Sequence, residues 1–112
     1  MLPRQHRLDS QGAAFTLKRG KGISGPFFRI KGVAGSGKHT KATVVVGLSV
    51  SKLANVRNLI KRRVREILRP LLPKIQPPLN LMVFAGKGSG KRTFKEFQSE
   101  LTSMLRRAGV IR

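Results

Sequence analysis

The side chains with the most chemistry to offer are cations. Asn55 to Arg69 reads NVRNLIKRRVREILR. On a helix turning about 100° per residue, Asn58, Lys61, Arg62, Arg65 and Arg69 fall within an arc of about 100°. Val56, Ile60, Val64 and Ile67 fall within about 80° on the other side. Arg57 and Arg63 flank the apolar stripe, and the single acid of the segment, Glu66, lies off the cationic strip. Like charges four residues apart repel along a helix, and a polyanion beside the strip reverses that sign. Guanidinium forks match phosphate oxygens, and the Asn58 amide suits a base edge, a sugar or a phosphate. Charge runs are usually solvated surface, but ordinary surfaces mix signs. The sorted pattern predicts a contact surface for RNA or DNA.

Other candidate chemistry is weaker. Gly32 to Thr40 reads GVAGSGKHT, close to the phosphate-loop pattern G-x-x-x-x-G-K-S/T. His39 displaces the threonine by one position, and a β-rich run follows where such a loop must open a helix. The segment therefore reads as a glycine-rich hairpin loop, and Lys38 as no nucleotide ligand. His6 and His39 are lone histidines in basic loops, without a second ligand at metal spacing. Asp9, Glu66, Glu96 and Glu100 are the only acids. Glu96 and Glu100 share a helix face, but Glu96 is accounted for by capping, so no carboxylate pair is evident for acid–base work. With no cysteine, disulfides, thiolate metal sites and a cysteine nucleophile are excluded. No catalytic residue and no protein-held metal or cofactor is expected.

The charge of the whole chain agrees with the strip. The 112 residues carry 24 Lys+Arg against 4 Asp+Glu, a net charge of +20. Self-repulsion opposes compaction, and solubility needs far less charge, so a polyanionic partner is the expected reason. A length of 112 residues predicts one domain, residues 1–112, with one modest core. The start, MLPRQHRLDS, lacks the apolar segment of a secretory signal. The longest apolar stretch, Val44 to Val50, falls far short of the roughly 18 residues of a membrane span. A cytoplasmic location is expected, with no membrane and no protein partner.

The strip must be held by other elements. A first helix is predicted from about Asp9 to Arg19, capped by Asp9 or Ser10, with Gly20 as a left-handed residue after its end. Phe27 to Lys31 reads as a strand. Thr43 to Ser51 reads as a second, with Val44, Val46, Leu48 and Val50 on one face. Its other face, Thr43, Val45, Gly47, Ser49 and Ser51, is small and mostly polar, and suits a surface that something large lies against. The basic helix follows, capped by Asn55 and stopped by Pro70 and Pro73. Leu79 to Ala85 reads as a buried strand. The last helix opens on a capping box, Thr93 to Glu96, buries Phe97, Leu101, Met104 and Leu105, and ends at Gly109. Two GSGK segments, Gly35 to Lys38 and Gly88 to Lys91, read as flexible basic loops. Of Phe15, Phe27 and Phe28, which are able to stack on bases, one at most is expected outside the core. The order gives an α+β sandwich of helices on a small sheet. Charge does not separate RNA from DNA. No helix-turn-helix, zinc-finger, zipper or ribonucleoprotein aromatic pattern is present.

The segment Val46 to Lys52, VGLSVSK, followed by Arg57 to Glu66, RNLIKRRVRE, resembles the signature of the bacterial ribonuclease P protein family. That signature is a V-S-K strand end and then an R-N-R-I-K-R-x-x-R-E helix. The R-L at Arg7 and Leu8, before a phenylalanine-bearing helix with a lone glycine after it, and the late helix start agree with it. The resemblance implies a two-layer α/β sandwich of about four strands and three helices, with a left-handed β-α-β crossover. It also implies a protein subunit that binds a catalytic RNA and the 5′ leader of precursor tRNA and assists endonucleolytic removal of that leader. Hydrolysis would be carried out by the RNA subunit, with Mg2+ bound in the holoenzyme. Arg57, Asn58, Lys61, Arg62 and Arg65 match the basic motif, and Arg69 extends it. Phe15, Lys18, Phe28, Lys31 and Ser49 fall at leader-cleft positions. Leu59 stands where the family carries arginine, and Lys31 where an aromatic residue is common. The alternative is a ribosomal or other structural RNA-binding protein without a processing role.

Overall fold

A computed structural model describes residues 2–35 and 37–111. The first helix, α1 (Ser10–Arg19), is capped by Asp9, whose carboxylate accepts the Gly12 N–H at 2.7 Å. It ends at Gly20, but not in the expected left-handed conformation, since φ is −70° and ψ 150°. Space is what requires glycine there. A Cβ would collide with the Thr16 carbonyl oxygen and press on that of Gly32 in a neighbouring strand.

Four strands follow from this start: β1 (Lys21–Ser24), β2 (Phe28–Ala34), β3 (Lys41–Val46) and β4 (Leu79–Ala85). Their order is β1-β2-β4-β3, with β3 parallel to β4 and the other pairs antiparallel. Strand β4 has the predicted bounds. Strand β2 runs three residues beyond the predicted end because β4 continues to offer partners as far as Ala34↔Leu79. Strand β1 was not predicted. Its four residues, KGIS, show no alternation, and only the hairpin with β2 makes them a strand.

Strand β3 corrects a prediction. It ends at Val46 rather than Ser51, because Val46 meets Ala85, the last residue of β4. Beyond it Gly47 turns the chain, with the Val50 N–H donated to the Gly47 carbonyl at 3.1 Å. Leu48, predicted to share the buried face, is 68% exposed.

The crossover from β3 to β4 is α2 (Ala54–Leu71), which continues into a 3₁₀ turn at Leu72–Lys74. It outruns the predicted helix at both ends. Leu53, not Asn55, stands at the N-cap and supplies no side-chain cap bond. Pro70 lies inside the helix rather than stopping it. Its missing N–H faces the carbonyl of Glu66, an exposed residue where water can serve. Leu68 and Leu72, 0% and 1% exposed, carry the chain onward into the core. The last helix, α3 (Phe94–Arg107), has the predicted capping box, with Glu96 N–H to Thr93 Oγ1 and Thr93 N–H to Glu96 Oε1 both 3.1 Å. Gly109 follows with φ 75°, the left-handed end that favours glycine.

Strand parity sorts the sheet into two faces. Phe28, Ile30, Ala42, Val44, Val46, Leu81 and Val83 are buried with Ile60, Val64, Ile67 and Leu68 of α2 and Phe97, Leu101, Met104 and Leu105 of α3 in one core. Arg29, Lys31, Thr43, Val45, Met82 and Phe84 therefore line the opposite face. Helix α1 lies over part of that second face, since Lys31 Nζ donates to the Leu17 carbonyl at 2.7 Å. The chain has the expected α+β fold, with its main layers the sheet and the α2–α3 pair.

The N-terminal segment covers the free edge of β3. Arg7 forms a parallel bridge with Ala42, and the Leu8 N–H reaches the Ala42 carbonyl at 3.2 Å. His6, 5% exposed, sits with Nδ1 2.7 Å from the Thr40 carbonyl and its ring edge-on to His39. The two histidines predicted to be isolated are thus neighbours, and His6 serves the fold.

Candidate nucleic-acid interface

The cationic strip takes its form from the burial of α2. Ile60, Val64 and Ile67 are buried as the periodicity requires, and Leu68 joins them. With that side fixed, Asn58, Arg62 and Arg69 are exposed, and Lys61 and Arg65 are half-buried along their stems. The strip from Asn58 to Arg69 is about 16 Å long at 1.5 Å per residue. Arg57 has a second duty. Its Nη1 donates to the Ser51 carbonyl at 2.9 Å and ties the β3–α2 connection to the helix. Four of its five N–H donors are left for a ligand. Leu59 is half-buried, so the family departure there adds a partly covered aliphatic group rather than a cation.

Two of the acids are held elsewhere. Glu96 pairs with Arg92 at 3.3 Å and with the cap of α3. The hydrogen bond from the Thr93 backbone N–H is the main reason its carboxyl titrates below the usual range. Glu100 is 9% exposed, and burial pushes its carboxyl above the usual range, partly offset by backbone N–H donors. One of these is Phe27, 3.1 Å from Oε2. These two carboxylates serve a cap and a hairpin and form no acid–base pair. No three His, Cys, Asp or Glu side chains gather among the described residues.

The second surface is the outer face of the sheet beside α1. Phe15 is 54% exposed on α1 with Lys18 exposed one turn on. Lys31 stands on β2 below them, one proton given to the Leu17 carbonyl and two left over. That bond also places a cation at the C-terminal turn of α1, where the helix dipole favours it. Phe28 does not belong to this surface. It is 2% exposed in the core, its ring edge-on to Phe97 at 4.9 Å between centroids. Its parity with Ile30 puts it on the inner face, and the half-buried aromatic ring of the outer face is Phe84 on β4. Ser49 lies exposed in the turn after β3. Arg29 and Phe84 were missed by sequence reasoning. Parity in β2 and β4 was the available signal, once Ile30 and Val83 are known to face the core.

The glycine-rich segments also resolve. Gly32 to Ala34 belong to β2, and the connection after them leads to β3, which β4 separates from β2. It is therefore neither a hairpin nor a helix-opening phosphate loop; Ser36 lies outside the described residues. The second GSGK takes a defined turn. It forms a 3₁₀ turn at Ser89–Lys91, with Ser89 fully buried and its Oγ donating to the Gly86 carbonyl at 2.8 Å.

A long cationic helix face and an aromatic and cationic sheet face define a nucleic-acid-binding protein on a small α+β scaffold. Residues 2–109 match the family model described as Ribonuclease P. A ribonuclease P protein component from a Picosynechococcus species is 34% identical over 110 residues, covering 97% of this chain and 95% of that protein. One from Thermus scotoductus is 38% identical over 96 residues, covering 85% and 55%. Among solved structures, the Staphylococcus aureus RNase P protein superposes with a TM-score of 0.85 at 21% identity, covering 96% of this chain and 98% of that one. The Thermotoga maritima RNase P protein gives 0.80 at 24%, covering 90% and 96%. The chain belongs to the ribonuclease P protein family, and so is the protein part of a ribonuclease that acts in tRNA processing and associates with ribonuclease P RNA. The alternative of a structural RNA-binding protein without a processing role is not favoured.

Proposed function

We propose that the whole chain works as one RNA-binding domain that holds ribonuclease P RNA along α2 and the 5′ leader of precursor tRNA against the outer sheet face. Asn58, Lys61, Arg62, Arg65 and Arg69 contact the RNA subunit, with Arg57 both bonded to Ser51 and available to phosphate. Phe15, Lys18 and Lys31 take the leader: phosphate on the ammonium groups, a base on the exposed ring. Phe84 is the aromatic ring of that face in place of Phe28, and Ser49 lies at its margin. Hydrolysis of the leader bond belongs to the RNA subunit and the Mg2+ it binds, and takes place in the cytoplasm.

The observation that carries this reading is the sorting of charge on α2, aliphatic inward and cationic outward. The test is reconstitution. Purified protein is added to ribonuclease P RNA and a leader-bearing precursor tRNA at low magnesium. Faster removal of the 5′ leader than by RNA alone is the expected result, and an unchanged rate rejects the reading.

A further inference from the structure

Arg7 and Arg65 come from distant parts of the chain, yet they line one recess. Its volume is about 180 Å³, and its other walls are Leu2, Leu8, Ala42 and Thr43. The position of Arg7 is fixed twice. Its backbone is bridged to Ala42 of β3, and its Nε donates to the Leu2 carbonyl at 2.8 Å. That leaves the four terminal N–H groups of the guanidinium. Arg65 enters from α2, half-buried, on the side of the sheet to which Ala42, the bridge partner of Arg7, also points. No acidic side chain lines the recess.

Two guanidinium groups beside one small cavity repel each other. An anion between them reverses the sign. Forked donors from two directions suit the tetrahedral oxygens of a phosphate.

We propose that Arg7 and Arg65 seat a single phosphodiester of bound RNA, where α2 meets the N-terminal segment docked on β3. Both arginines hold the same phosphate. The recess therefore extends the RNA path from the α2 strip to the N-terminal segment. It rests on the reading that α2 faces ribonuclease P RNA.

The test uses the full-length protein and ribonuclease P RNA, with dissociation constants measured across a salt series. The variants are Arg7→Gln, Arg65→Gln and the double variant. Glutamine at position 7 keeps an N–H for the Leu2 carbonyl, and a thermal melt checks that each variant is folded. One shared phosphate predicts that the double variant loses about 0.7 to 0.9 from the slope of log affinity against log salt. Two separate phosphates would cost about 1.4 to 1.8 and overturn the proposal, as would an unchanged slope. If the wild type itself binds this RNA without salt dependence, the reading of α2 fails. If the wild type is salt-dependent and the double variant matches it, only the recess fails.

Discussion

Replacing Lys61 and Arg62 by alanine together removes two cations from the middle of the α2 strip and leaves the core untouched. Arg62 is exposed and Lys61 half-buried, while the neighbours on which the fold depends, Ile60 and Val64, are 2% and 0% exposed. The change in folding stability should stay within about 0.5 kcal/mol, as for surface sites remote from packing. Relief of like-charge repulsion along the helix works in the same direction. RNA binding should respond strongly. Adjacent residues on a helix point about 100° apart, so the two side chains meet different phosphates. Each lost phosphate contact removes about 0.7 from the salt slope for a single strand and about 0.9 for a duplex, giving about 1.4 to 1.8 in total. Between about 50 mM and about 200 mM salt, the affinity deficit of the variant should therefore shrink about tenfold. The assay is filter or fluorescence binding to ribonuclease P RNA at four or more salt concentrations, with urea unfolding alongside. A folded double variant whose slope matches the wild type would refute the reasoning, because it would place the strip away from phosphate.

The remaining predictions concern the core, the buried acid and the leader surface. Ile60→Asp puts a charge where a residue 2% exposed now packs between α2 and the sheet, and should abolish the cooperative unfolding transition seen by circular dichroism; a stable variant would mean the faces of α2 are assigned in reverse. Glu100 titrates above the usual carboxylate range because it is buried, so the folded state binds more protons than the unfolded state in that window. Stability from this group is accordingly greatest at low pH and falls as pH rises through the window between the unfolded and folded values. Glu100→Gln, which keeps an acceptor for the Phe27 N–H, should flatten that fall in urea unfolding measured across pH; an equal fall in the variant would assign it to other groups. Phe15→Ala should leave stability within about 0.5 kcal/mol and weaken leader-bearing precursor by about 1 to 3 kcal/mol, with leaderless tRNA unaffected. Equal losses for both would separate Phe15 from the leader.

Much of this was legible in the sequence because local rules and tertiary packing agree. The period of Val56, Ile60, Val64 and Ile67 fixed both faces of α2, and the Asp9 cap and the Thr93 capping box marked helix starts correctly. The failures share a physical cause, which is that strands are defined by partners. Lys21–Ser24 has no strand pattern and becomes one through β2. Leu48 continues the alternation of Val44 and Val46, but β4 has already ended at Ala85. Pro70 breaks a local rule near the end of a helix held by Leu68 and Leu72. Phe28 was misassigned for a related reason, since its face depends on a register with β4 that the sequence does not state. The meeting of Arg7 with Arg65 depends on the N-terminal segment docking on β3, and no local pattern announces it.

The most direct test of the central claim is a photo-crosslink from the strip. A photoreactive residue is placed at Arg62, and in a second protein at Arg106, exposed on α3. Each is irradiated with ribonuclease P RNA, and the attachment points are mapped by primer extension. Crosslinks at defined nucleotides from position 62, and few from position 106, are predicted. Efficient crosslinking from position 106 with none from position 62 would contradict the account.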